Sequence, residues 1–234
     1  MEQTTFPFFD KTQERDDNHV ANSAAYDKDI KIFYCIFLTD RMIRTCLNLI
    51  RLFCNPTSTQ EAHITVRGPY NDLQITKYPR RWKEKLPSTS IKISGTGCFF
   101  EEKQNTVFLP CTVDDIDTIW WKPTFRYLPR KSHITIYDGD SRHLAEQILA
   151  ILSMHRLSFT TSGSELSPII SLNKDQLNFK VYLEIDKSVC ESIFGCDLNI
   201  GDIMHIDEHS RLNGIDTVIN YMEKALYMSQ LTRT

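Results

Sequence analysis

The apolar positions of this chain fall into short runs separated by polar and turn-forming segments. From Ile30 to Leu38 the run is nearly continuous, which predicts a buried strand. Thr39 or Asp40 can cap a following helix, in which Met42, Ile43, Cys46, Leu47, Ile50 and Phe53 recur at helical spacing until Asn55-Pro56 stops it. A strand then begins at Ala62-His63-Ile64-Thr65-Val66 and is expected to end at Gly68-Pro69. Segments Ile91 to Ser94 and Thr106 to Leu109 read as the arms of a hairpin joined through Gly95, Gly97 and a charged stretch. Asp114 and Asp115 open a short helix predicted to reach Trp120-Trp121, with Pro123 closing it.

A second strand follows at Ser132-His133-Ile134-Thr135-Ile136. Asp140 or Ser141 then caps a helix carrying Leu144, Ile148, Leu149, Ile151 and Leu152. Leu177 to Ile185 is the best of the later strand candidates, and a last helix is predicted from about Asp216 to Met228. Strands and helices alternate twice, which predicts an α+β fold with a weak internal duplication. Residues 1–28 are polar and irregular apart from the Phe6/Phe8/Phe9 cluster and read as a flexible N-terminal extension; residues 29–234 form the folded domain.

The two His-Ile-Thr segments carry the chemistry. Side chains on a strand repeat their direction every second residue. His63, Thr65 and Arg67 therefore share one face, as do His133, Thr135 and Tyr137, while Ile64, Val66, Ile134 and Ile136 point into a core. If the strands lie side by side, two imidazoles and two hydroxyls converge. Hydrolysis of a phosphodiester needs a base for the nucleophile and an acid for the leaving oxygen, and histidine suits both. Threonine hydroxyls can hold the non-bridging oxygens. The competing account is two ordinary strand histidines in a degenerate repeat.

The paired tetrapeptides His63-Ile64-Thr65-Val66 and His133-Ile134-Thr135-Ile136 resemble the two H-x-[ST]-x motifs of the 2H phosphoesterase superfamily, which includes the bacterial RNA 2′,3′-cyclic phosphodiesterases also called 2′–5′ RNA ligases. The resemblance follows element order over most of residues 30–185, with only the tetrapeptides specific. It implies a bilobal, pseudo-two-fold fold: two antiparallel-sheet lobes with outer helices around a central cleft. It also implies a metal-independent phosphodiesterase acting on a 2′,3′-cyclic or 2′–5′ phosphodiester in RNA or a small cyclic nucleotide. His63 and His133 would be acid and base in an order the sequence leaves open, and Thr65 and Thr135 would hold the phosphate. No cofactor or metal is called for.

Candidate substrate contacts are Arg67, Tyr70, Trp82, Arg130 and Tyr137. Trp82 lies in the basic, aromatic stretch Lys77 to Lys85, and Arg130 in a second one from Lys122 to Lys131; cations suit phosphates and flat rings suit bases. Two other readings remain: a module that binds a nucleotide or RNA end without turnover, and a phosphoesterase for a non-RNA cyclic phosphate such as an ADP-ribose derivative. Residues 186–213 have no counterpart in the compact family pattern.

Composition narrows the classes further. Among 234 residues, 41% are hydrophobic and 24% charged, as in ordinary soluble proteins, and a net charge of −3 argues against general nucleic-acid coating. No apolar run is long enough for a membrane span, and the start is too polar for a signal peptide. The seven cysteines include no C-x2-C pair and read as free thiols in a reducing cytoplasm. His205 and His209, near Asp202, Asp207 and Glu208, lack the helical framing of a metal site.

Overall fold

The computed structural model describes residues 31–58, 60–70, 89–114, 132–171, 183, 185–198 and 200–232. The N-terminal extension, the helix expected near Trp120, most of the strand expected over 177–185, and both basic stretches with Trp82 and Arg130 lie outside them.

Among the described residues, seven strands and five helices follow one another as β1 (Lys31–Leu38), α1 (Arg41–Cys54), β2 (His63–Tyr70), β3 (Thr89–Ser94), β4 (Gly97–Phe100), β5 (Asn105–Val113), β6 (His133–Gly139), α2 (Arg142–His155), β7 (Ser158–Ser171), α3 (Lys187–Phe194), α4 (Ile200–Ile203) and α5 (Glu208–Leu231). The strands form one antiparallel sheet in the order β3-β7-β1-β2-β6-β5-β4, and a further β3–β5 pairing closes it. The α+β class is thus as expected. The two motif strands, β2 and β6, are neighbours near the middle of the order.

The local chemistry explains the helices. Asp40 caps α1 by accepting from the Ile43 N–H at 3.0 Å, and Ser141 caps α2 by accepting from Leu144. Asp207 caps α5, which starts eight residues before the predicted Asp216. Ile43 and every residue from Thr45 to Cys54 are buried, so α1 is enclosed almost all round, as an interior helix must be. The sheet covers one side of α1 and α5 crosses another. That crossing is close: a Cβ on Gly214 would lie 2.7 Å from the Phe53 ring, so only glycine fits there without displacement. Ile36, Ile64, Ile91, Ile134 and Leu109 form the core face of the sheet and are fully buried. Each such side chain contributes roughly 1.5–3 kcal/mol by leaving water.

Two strand expectations change. Ile91–Ser94 does pair with β5, but at its far end (Ile91 with Val113), because Gly97–Phe100 forms its own strand and takes the near end. β2 does not stop at Gly68-Pro69; it continues to Tyr70, opposite Ile32, through irregular register. The seven cysteines are unpaired; Cys35, Cys46, Cys54 and Cys190 are buried. No helix among the described residues is long and apolar enough to cross a membrane.

Candidate active site

β2 and β6 run antiparallel with Ile64 opposite Ile134. Stepping one residue either way puts His63 opposite Thr135 and Thr65 opposite His133. Directly opposed side chains in such a ladder start about 4.5–5.5 Å apart and diagonal ones about 7–8 Å. The two isoleucines are fully buried, and the four polar side chains stand on the other face, each half-buried. The result is a square with an imidazole at each end of one diagonal and a hydroxyl at each end of the other.

His63 is held from three sides. The Asn48 side chain, buried on α1, accepts the Ala62 N–H at 2.7 Å and fixes where β2 begins. The Glu61 carbonyl lies 2.7 Å from His63 Nδ1, and the Phe37 ring lies 5.9 Å away, tilted by 54°. A carbonyl can only accept, so Nδ1 carries the hydrogen and Nε2 bears the lone pair. Burial pushes the His63 pKa down to about 4; the Glu61 bond opposes this, and the charges of Arg51 and His133 add to it. At neutral pH His63 is an uncharged imidazole, the form a general base requires. Asn48→Ala orphans a buried N–H, so a loss of about 1–3 kcal/mol is expected in urea unfolding.

His133 sits against aromatic rings. Phe108 lies 4.8 Å from it and Phe99 approaches edge-on at 6.0 Å, while Phe99 and Phe108 stack at 4.6 Å. Phe99 is 44% exposed, unusual for a phenylalanine that packs against a polar site. Beside Thr65, the buried Cys35 thiol donates to the hydroxyl at 3.8 Å, and burial pushes that thiol up to about 12. Thr135 is gripped through its backbone, where Arg51 of α1 donates from Nη1 to its carbonyl.

His63, Thr65, His133 and Thr135 therefore come together. Tyr137 does not join them. Between Val107/Phe108 of β5, β6 gains one residue, pairing Phe108 with Thr135 but Val107 with Tyr137. This bulge breaks the two-residue alternation, so Ile136 and Tyr137 are both buried. The Tyr137 hydroxyl reaches the Ser141 carbonyl at 3.4 Å, and its place is the core rather than the histidine face. β2 has the same irregularity at the equivalent position: Cys35 pairs with Thr65 but Tyr34 with Arg67. The alternation argument for Arg67 ends at that point. Its side chain and that of Tyr70 are outside the description, as are Trp82 and Arg130.

Sequence reasoning missed Phe99, Phe108, Cys35 and Arg51. Arg51 had a legible signal, a charge on the apolar stripe of α1 between Ile50 and Cys54. Phe99 had none, because Gly97–Phe100 read as part of a turn. No group of three or more His, Cys, Asp or Glu among the described residues is arranged to hold a metal ion. Compared with protein-family models, characterised proteins and solved structures, the chain finds no match in any of the three.

Proposed function

We propose that this protein is a metal-independent phosphodiesterase that opens a 2′,3′-cyclic or 2′–5′ phosphodiester in an RNA end or a small cyclic nucleotide. The pairing of Ile64 with Ile134, from which one-residue steps set His63 against Thr135 and Thr65 against His133, is the observation that carries this reading. A phosphate over the square meets a hydroxyl donor from each strand and an imidazole on either side. His63 Nε2 takes a proton from water as its oxygen bonds to phosphorus. His133 gives a proton to the departing ribose oxygen. Thr65 and Thr135 donate to the non-bridging oxygens, where negative charge grows. One proton enters and one leaves the pair of rings, so the next turnover needs only exchange with solvent.

The two-lobed arrangement of the resembled family belongs to the same proposal. β1 flanks β2 on one side and β5 flanks β6 on the other, and both motif strands bulge at the fourth residue of the tetrapeptide, Val66 and Ile136. The half-exposed Phe99 ring beside His133 supplies an apolar surface for the base.

The test is product analysis with 2′,3′-cyclic mononucleotides, a 2′–5′-linked dinucleotide and a cyclic-phosphate ADP-ribose derivative, each with and without EDTA. A phosphomonoester formed at the same rate in EDTA is expected from one of the first two. Tight binding without product would turn the reading to a capture module, and turnover of the ADP-ribose derivative alone would change the substrate class.

A further inference from the structure

Arg51 is 7% exposed and occupies the last turn of the enclosed helix α1. Its Nη1 donates to the Thr135 carbonyl, and its Nη2 to the Ser58 hydroxyl at 3.5 Å. Nε has no hydrogen-bond partner, and no carboxylate forms an ion pair with the guanidinium, among the described residues. A buried cation without a carboxylate is expensive, and a leucine would fill the same stripe at no such cost. What the guanidinium does have is position. Thr135 is opposite His63, and the bulge at Ile136–Tyr137 interrupts the ladder just beyond the carbonyl that Arg51 satisfies.

We infer that Arg51 is a positioning residue for the two-histidine site, working from the buried side of the sheet: it pins the Thr135 backbone and places a fixed positive charge behind His63 and the phosphate. This rests on the reading proposed above and deepens it. The bond to a carbonyl uses the fork of the guanidinium, whereas the charge acts through space on whatever lies across β2 and β6.

Cys54 on α1 and Asp138 on β6 act on Arg51, and both favour its charged form against burial. Arg51 and His133 act on His63 in the same direction, against protonation, while the Glu61 carbonyl acts the other way. Asp138 is exposed and tied to Thr106 and Gln104, so it is a weak counterweight. A charge of this kind serves both ends of the reaction. It keeps the base unprotonated and adds to the attraction for an anionic substrate.

The experiment is an NMR titration of the His63 ring in the whole protein, alongside pH profiles of kcat/KM on a 2′,3′-cyclic nucleotide, for wild type, Arg51→Gln, Arg51→Met and Arg51→Lys. Losing the charge in Arg51→Gln or Arg51→Met is expected to raise the His63 midpoint by about one pH unit and to move the acid limb of kcat/KM with it. Arg51→Lys keeps the charge but not the fork, so His63 should titrate as in wild type while kcat falls roughly tenfold. An unmoved His63 midpoint in a folded Arg51→Gln protein overturns the electrostatic part, and unchanged kcat in Arg51→Lys overturns the positioning part. Should the neutral variants fail to fold, Arg51→Lys decides alone by its kcat. The titration needs no turnover: a wild type that cleaves nothing ends the proposed reaction, whereas an active enzyme indifferent to Arg51 ends this inference only.

Discussion

Replacing either His63 or His133 with alanine is expected to lower kcat/KM on a 2′,3′-cyclic nucleotide by about 10²–10⁴-fold. The two losses should differ in kind. In the proposed reaction His63, with Nδ1 committed to the Glu61 carbonyl and Nε2 carrying the lone pair, acts on the attacking water. His133 acts on the leaving oxygen. A substrate with a p-nitrophenyl leaving group needs no proton to depart, so on it His133→Ala should recover most of its deficit and His63→Ala should not. The double variant should be little worse than the poorer single one, because an acid and a base that serve one step do not contribute independently. Retention of activity within a few-fold in both single variants would remove the proposed chemistry altogether.

The second large effect concerns stability against pH. The folded His63 pKa of about 4 lies below its ordinary value near 6.5, so between those values the unfolded chain binds a proton that the folded chain refuses. Stability therefore falls as pH drops through that window, by on the order of 3 kcal/mol in all. His155, at the end of α2, works in the opposite sense. Burial opposes its charge, but Asp216 at 2.8 Å and Glu223 at 3.1 Å, both on α5, hold its pKa above the ordinary value. That latch is intact below pH 6.5 and weakens as pH climbs through the raised pKa. Urea midpoints should accordingly peak near pH 6.5. His63→Asn should flatten the acid side of the curve and His155→Gln the alkaline side. A wild-type curve with the same acid slope as His63→Asn would show that burial of the imidazole has no such consequence.

Much of this architecture was readable from residue order. Asp40 and Ser141 are side chains that satisfy the first orphan amides of a helix, and they start helices where they stand. The alternation of His, Ile and Thr sorted the polar and core faces of β2 and β6 correctly as far as Val66 and Ile136. It failed at Tyr137 because a period of two presumes an unbroken ladder, and nothing local in His133–Tyr137 signals an inserted residue. The start of α5 was hidden for another reason. Its first turns are polar, and Gly214 looks like a breaker until one sees Phe53 pressed against it. Arg51 and Phe99 matter through contacts with residues 84 and 34 positions distant in the chain, Thr135 and His133, which no periodicity can reveal.

The crossed register has a consequence for the autonomy of the halves. Each imidazole faces a hydroxyl lent by the other repeat, so neither repeat owns a complete grip on an anion. On the proposed function, a chain severed between β2 and β6 should yield two inert fragments, with turnover returning only on reassociation, second order in their concentrations.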